Sequence, residues 1–414
     1  MNAMYFSAAF DSEFIESSLS QVVKTDQFMA NLLNIYRAVL AEGLSQTLVL
    51  QIQRSDYMCH APEGSIKNCA LKQIEVNNIA SSFGALATRC TKLHRVMLRE
   101  LGYSEDSIQQ TLPENCAAST VASGLAEAWW AYRSPESLVL VVIEELNQNI
   151  ADQRHIEYML WELTQQQARS VRLTLTECKH RLSLSKEKTL LLDHSKEVSV
   201  VYFRSGYVPQ QYQGQQDWDA RLVIERSKAI KCPWIGLQLA NTKKIQQTLS
   251  KPGIVERYVD GDVERATKIR ATFAGLWGLE ANAADTEILV EEACNQYQRF
   301  VLKPQLEGGG SNIYGDKISQ SLRAFSAEQR AAYILMERVQ PLRNQNYLMR
   351  PMGEVSLTDC VSELGIYGYL LGDLQQNWIR RNVTGGHVLR SKPISVDEGG
   401  IMAGAAVLDS PFLV

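Results

Sequence analysis

The 414-residue chain contains no CxxC pair and no Cys/His spacing suited to zinc, so its eight cysteines do not read as a structural metal site. No apolar run is long enough to cross a bilayer, which leaves no membrane partner to expect. Basic residues do not dominate. The 42 Lys and Arg are scattered among 46 Asp and Glu for a net charge of −4, which argues against a nucleic-acid partner. Neither common phosphate loop occurs: GxxxxGK[ST] is absent, and no GxGxxG opens a helix after a strand. Internal repeats and low-complexity tracts are also missing. What remains is an ordinary globular composition, 45% hydrophobic and 21% charged, long enough for two or three cores.

The N-terminal stretch MNAMYFSAAFDSEF lacks the basic segment and apolar core of a secretory leader. A cytoplasmic protein with reduced thiols is therefore expected, with a secreted one as the alternative if a leader has been removed. Cys59 and Cys69 flank the turn-rich CHAPEGSIKNC between two apparent strands. A hairpin there brings them within disulfide range, and two free thiols is the other reading.

Apolar spacing predicts helix over residues 12–42, 86–101 and 120–132, with strands at Thr47 to Ile52 and Leu71 to Val76. From Ser137 the texture changes. Leu138 to Ile143 is a continuous apolar run, the mark of a strand buried on both faces. A helix over 152–169 and strands at Val171 to Leu175 and Val198 to Phe203 follow, an alternation that predicts a small doubly wound parallel-sheet domain over residues 138–235. The flanking domains are then 1–137 and 236–414, the latter with strands at Tyr333 to Val339 and Leu364 to Leu371. The Gly/Ala-rich stretch DEGGIMAGAAVLD reads as a mobile loop.

The richest segment is RFVLKPQLEGGGSNIYG, Arg299 to Gly315. Phe300 to Leu302 reads as a strand that ends in Lys303. Glu307, three glycines and Asn312 follow. A lysine at a strand end neutralises phosphate charge, glycines let backbone N–H groups close over a triphosphate, and a carboxylate beside them holds magnesium. A plain Gly-rich hairpin is the alternative, but it does not need the lysine, glutamate and asparagine in this order. The pattern resembles the glycine-rich lid of an ATP-grasp ligase.

Eight further segments, QIEVNNIASSF, NIADQR, VVYFRSGYVP, LANTKKIQQTLSKPG, RATFAGLWGLE, YILMERV, SELGIYG and HVLRSK, extend this into a collinear resemblance to eukaryotic glutathione synthetase from about Phe10 to Val414. The family's chains begin with a further helical segment, inside which this chain starts. The resemblance implies an α/β (α+β) ATP-grasp homodimer in which antiparallel sheets clasp ATP under a glycine-rich loop (305–315) and a C-terminal lid (391–406). It implies ATP and Mg2+, a γ-glutamylcysteine-like donor and a glycine-like acceptor. ATP would phosphorylate the donor's cysteinyl carboxylate, and the acceptor amine would displace the phosphate. The chemistry is charge management, because two anions must meet.

Carried over residue by residue, the resemblance assigns magnesium to Glu75, Asn77 and Glu307. Glu75 and Asn77 sit at i and i+2, on one face of a strand. Lys243 and Lys303 match the phosphate lysines, and with Arg390, which matches the residue holding the acceptor's carboxylate, they form the expected catalytic set. Gly308, Gly309, Gly310, Ser311, Asn312 and Tyr314 match the covering loop. Met336, Glu337, Arg338 and Val339 would border the adenine and Glu363 the ribose, while Lys392 and Glu398 would reach the nucleotide from the lid. On the donor side Arg54 and Arg204 are implied to bind carboxylates through bidentate guanidinium bonds. Ile79, Ala80, Ser81 and Ser82, then Asn147, Gln148, Asn149 and Gln153, and finally Ser205, Gly206 and Tyr207 would line the remainder. Ile401 and Met402 would border the acceptor.

Four departures bear on specificity. Ala80 replaces a serine, Asn147 a glutamate suited to the γ-glutamyl ammonium, Leu306 an arginine, and Met402 an alanine beside the incoming glycine. Losing one charge-assisted hydrogen bond costs about 1.5–3 kcal/mol, so weak glutathione synthesis or an altered donor or acceptor is the alternative expectation. A protein that binds without turnover is a third. The retained lysines and carboxylates argue against it.

Overall fold

The computed structural model describes residues 1–62, 64, 66–281, 283–305, 310–350, 353–373, 378–402 and 404–413. These build three sheets. In the first, an antiparallel sheet of six long and short strands, Leu357–Asp373 is central. Trp378–Pro393 and then Val407–Asp409 extend it on one side. On the other side lie Leu48–His60, followed by Ala70–Asn77, and separately Arg343–Tyr347. The period-2 alternation of Leu48–His60 marks where core gives way to site. Leu50 and Ile52 pack with Val121, Leu125 and Trp129 of the helix Ala117–Tyr132, and further along the same face come Arg54 and Asp56. A bulge in the pairing with Ala70–Asn77 falls between Asp56 and Tyr57, a feature that re-aims side chains.

The second sheet has three antiparallel strands, with Ile334–Glu337 between Phe300–Lys303 and Leu276–Gly278. Val290, Ala293, Ile318 and Leu322 of two helices cover its back. It is tied to the first sheet through Gln73, whose N–H donates to Thr272 O at 2.6 Å, and Lys72, whose Nζ donates to Phe273 O at 2.8 Å.

In the third sheet Leu138–Val142 lies parallel between Arg169–Leu173 and Lys196–Phe203, and the latter pairs in parallel with Ile230–Cys232. Val139 and Val141 enter one core, Leu140 and Val142 another, which explains the unbroken apolar run. The predicted parallel strands are present, but the sheet is mixed. Leu182–Leu184 and Leu190–Leu192 add an antiparallel hairpin too short to register as a pattern.

Several boundaries differ from expectation. The helix expected over 12–42 is broken into Ser12–Leu19 and Gln27–Glu42, because Asp26 turns its carboxylate onto Met29 N–H at 3.0 Å and starts a new helix. The helix expected to reach 169 is Ile150–Leu163, since Gln165 and Gln166 take φ of 54° and 67° and reverse the chain. The expected loop over 397–409 ends in the paired strand Val407–Asp409. No helix of the described residues is long and apolar enough to cross a membrane. Cys59 and Cys69 are both free thiols, as are the other six cysteines, and burial, reinforced by the neighbouring Cys69, pushes the Cys59 thiol up.

Candidate active site

A cleft of about 1130 Å³ separates the first sheet from the three-stranded sheet. Its floor is a cage of opposite charges. Asp56, fully buried, accepts from Arg54 Nε and Nη2 at 2.7 Å each, from Arg390 Nη2 at 3.0 Å and from Asn77 Nδ2 at 2.9 Å. Arg390 also pairs with Glu363, and Lys243 Nζ lies 3.1 Å from Glu75 Oε2. Lys243 reaches this point as the first residue of a helix capped by Thr242. Lys303, at the end of its strand as expected, donates to Ile74 O at 3.0 Å. The cage requires glycine opposite Asp56. A Cβ on Gly365, its partner in register, would sit 2.6 Å from Asp56 Oδ1 and 2.8 Å from Arg54 Cδ.

The two carboxylates at the cleft respond oppositely. Burial raises the Glu75 carboxyl, but Lys243, Lys303, Arg390 and Arg54 outweigh it and hold Glu75 well below the usual carboxylate range. Glu363 is shifted up, by burial first and then by the neighbouring Asp56 and Glu75 charges, against the pull of Arg390. Ligand oxygens of Asp56, Glu75 and Glu363 all lie within 4.8 Å of one another, a donor set of hard oxygens that suits magnesium. Of the expected magnesium ligands, Glu75 stands in this group. Asn77 turns its Nδ2 toward Asp56, and half a turn of the amide would present Oδ1 instead. Glu307 lies outside the described residues, as do Gly308, Gly309 and Leu306.

On the nucleotide side Asn312, Tyr314, Met336, Glu337, Arg338, Val339, Glu363, Lys392 and Glu398 all line the cleft. Glu398 accepts from Asn312 N at 3.0 Å and from Gly310 N, so its carboxylate sits on the loop amides expected to close over phosphate, with Ser311 between them. Lys392 donates to Val396 O and Asp397 O at 2.6 Å each, and burial lowers its pKa.

On the donor side Ile79, Ala80, Ser81, Ser82 and Tyr207 line the cleft. The strip 78–83 joining strand to helix is strained, with Ala80 at φ 51° and Phe83 at φ 74°, and it is tightly held. Arg54 donates to Ser82 O at 3.1 Å, Arg204 to Ser81 O and Ser82 Oγ at 2.7 Å, and Asp152 accepts from Phe83 N at 2.8 Å and Ala85 N at 2.9 Å. Both arginines thus bind protein groups, and only Arg204 Nε remains without a partner. Asn149 and Gln153 are buried behind this strip, and Ser205 is buried beside Arg204. Gly206, at φ 95°, and Tyr207 donate their N–H groups to Gln211 Oε1 at 2.7 and 2.9 Å. Asn147 is half-buried and Gln148 exposed, both off the cleft lining, whereas Met402 lines its mouth 47% exposed with Ile401 packed behind. Sequence reasoning passed over Asp56 and Gly365. Asp56 was signalled by its i+2 spacing from Arg54, but Gly365 needed the strand register.

The chain matches the family model for the eukaryotic glutathione synthase ATP-binding domain over residues 1–413. It is 43% identical to glutathione synthetase of Homo sapiens over 406 residues, 98% of this chain and 83% of that protein. It is 37% identical to the chloroplastic glutathione synthetase of Arabidopsis thaliana over 416 residues, 100% of this chain and 74% of that protein. Among solved structures it resembles a glutathione synthetase-like effector from Globodera pallida in its apo form, with a TM-score of 0.76 and 25% identity, covering 100% of this chain and 84% of that one.

Proposed function

The chain belongs to the eukaryotic glutathione synthase family, and we propose that its cleft joins γ-glutamylcysteine to glycine with conversion of ATP to ADP and phosphate. It is an ATP-dependent ligase. The observation that carries the substrate reading is the buried cage in which Arg54, Arg390, Lys243 and Lys303 surround Asp56, Glu75 and Glu363. Such a cage lets one anion approach another. Lys243 and Lys303 would take the phosphates, and the donor's carboxylate oxygen would attack the γ-phosphorus as the bond to ADP breaks. The glycine nitrogen would then attack the acyl carbon and release phosphate, with Arg390 holding the glycine carboxylate. Magnesium, held by Glu75, Glu307 and Asn77 with Asp56 and Glu363 beside it, would cancel phosphate charge.

In this reading Met336 to Val339 border the adenine, residues 305–315 and 391–406 form the two lids, and residues 138–235 read the donor from the flank. We place the protein in the cytoplasm as a homodimer. The free thiols are in keeping with that compartment, and exposed Leu93, Val96, Met97 and Leu101 at the end of one helix offer a dimer face. Met402 at the cleft mouth favours a second reading in which an acceptor other than glycine is used. Mass-spectrometric assay of products from γ-glutamylcysteine with a panel of amino acids, omitting ATP, Mg2+ or donor in turn, tests both. No ADP release with any pair would sink the first reading, and a strong preference for glycine the second.

A further inference from the structure

Cys59 and Cys69 stand at the two sides of the hairpin that joins Leu48–His60 to Ala70–Asn77. Cys59 is paired in register with Leu71, so Cys69, two positions earlier, is its diagonal neighbour across the antiparallel pair. The Cys69 N–H donates to Ile66 O at 3.3 Å, and its thiol hydrogen-bonds that of Cys59. Both thiols are half-buried and open to a small reagent, whereas Cys178, Cys232, Cys294 and Cys360 are buried.

The other edge of the same strand holds the segment behind the adenine border. Cys59 O accepts from Leu342 N at 2.8 Å, Ala61 N donates to Gln340 O at 2.8 Å, and Gln340 N donates to His60 Nδ1 at 3.1 Å. His60, Ala61, Gln340 and Pro341 all line the cleft, and the last two directly follow Met336 to Val339. A disulfide needs its Cα atoms about 4.4–6.8 Å apart, closer than the roughly 7–8 Å of an ordinary diagonal pair. Closing one here draws Cys59 toward Cys69 and away from Leu342 and Gln340.

Resting on the ligase reading for the choice of reagent, we propose that Cys59 and Cys69 form a thiol–disulfide exchange site for glutathione disulfide, the oxidised form of the product, and that closing it loosens the adenine border. Burial pushes the Cys59 thiol up, so little of it is thiolate and the first attack falls to Cys69. The Cys69 sulfur bonds to one sulfur of glutathione disulfide, breaking its S–S bond and releasing one glutathione. Cys59 then attacks the Cys69 sulfur and releases the second. The protein gives up two electrons and two protons, which leave on the two glutathione thiols, and one disulfide replaces another.

The test incubates the full chain with excess glutathione disulfide, removes the reagent and maps the thiols by alkylation and mass spectrometry. A peptide pair linked through Cys59 and Cys69 is expected, and Cys59→Ser should stop at one glutathione on Cys69. Calorimetric titration with ATP and Mg2+ alone should show affinity falling roughly two- to tenfold on closure, the equivalent of one neutral hydrogen bond, and returning with dithiothreitol. Cys59→Ser and Cys69→Ser should bind ATP as the reduced wild type does and show no such fall. Two alkylatable thiols after oxidation would overturn the exchange site, and a disulfide with unchanged or tighter ATP binding would overturn the coupling. A fall of equal size in Cys59→Ser would place the effect on another thiol, such as the exposed Cys116, and overturn the proposal as well. None of these measurements needs turnover, so absence of ADP release with every donor and acceptor would defeat the ligase reading and leave this site to be judged on its own.

Discussion

Replacing Asp56 by asparagine removes one charge from the floor of the cleft and leaves its volume unchanged. Four hydrogen bonds converge on this carboxylate, two from Arg54 at 2.7 Å, one from Arg390 at 3.0 Å and one from Asn77 at 2.9 Å. The side chain is fully buried, so water cannot take its place. Breaking a buried pair costs about 3–5 kcal/mol, because the partner charge is left uncompensated. Here Arg390 keeps Glu363, which softens the loss, so a fall of about 3 kcal/mol in unfolding free energy is expected at the low end of that range. The same change removes one of the three carboxylates that converge on the candidate metal position, so the Mg2+ concentration giving half-maximal rate should rise at least about tenfold. Urea unfolding and a Mg2+ titration of ADP release measure the two effects. A variant within about 1 kcal/mol of wild type and with unchanged Mg2+ dependence would refute the view that Asp56 holds the cage together.

Lys303→Ala and Glu307→Ala should each abolish ATP-dependent ligation with circular dichroism unchanged, the first through a lost phosphate partner and the second through a lost magnesium ligand. Near-normal ADP release from both would defeat their assignment. Met402→Ala should raise kcat/KM for glycine relative to a larger acceptor by about tenfold, the equivalent of 1.4 kcal/mol, and an unchanged ratio would show that Met402 does not border the acceptor. Lys231 is fully buried, and desolvation, with Arg221 adding and Glu225 opposing, lowers its amine to about 7. The unfolded chain keeps that proton to about pH 10.4, so folding expels it between these values and stability must rise with pH there. From pH 7 to 9 wild type should therefore gain on Lys231→Met by up to about 1.4 kcal/mol per pH unit, and parallel urea midpoints across that range would contradict the sign.

The sequence by itself determined the elements whose cause is local. The unbroken run of Leu138 to Ile143 carries the mark of a strand covered on both faces, and the order strand, Lys303, glycines could be read as phosphate chemistry because lysine and glycine act there through their own charge and missing Cβ. The collinear segments carried the family. Tertiary structure decided which groups meet. Asp56 and Gly365 lie 309 positions apart but face each other because two strands pair in one register, and the charge cage depends on that register. Arg54 and Arg204, read from sequence as ligands for substrate carboxylates, also hold Asp56 and the strained strip at Ala80 to Phe83, contacts that a buried guanidinium needs and that only the fold supplies.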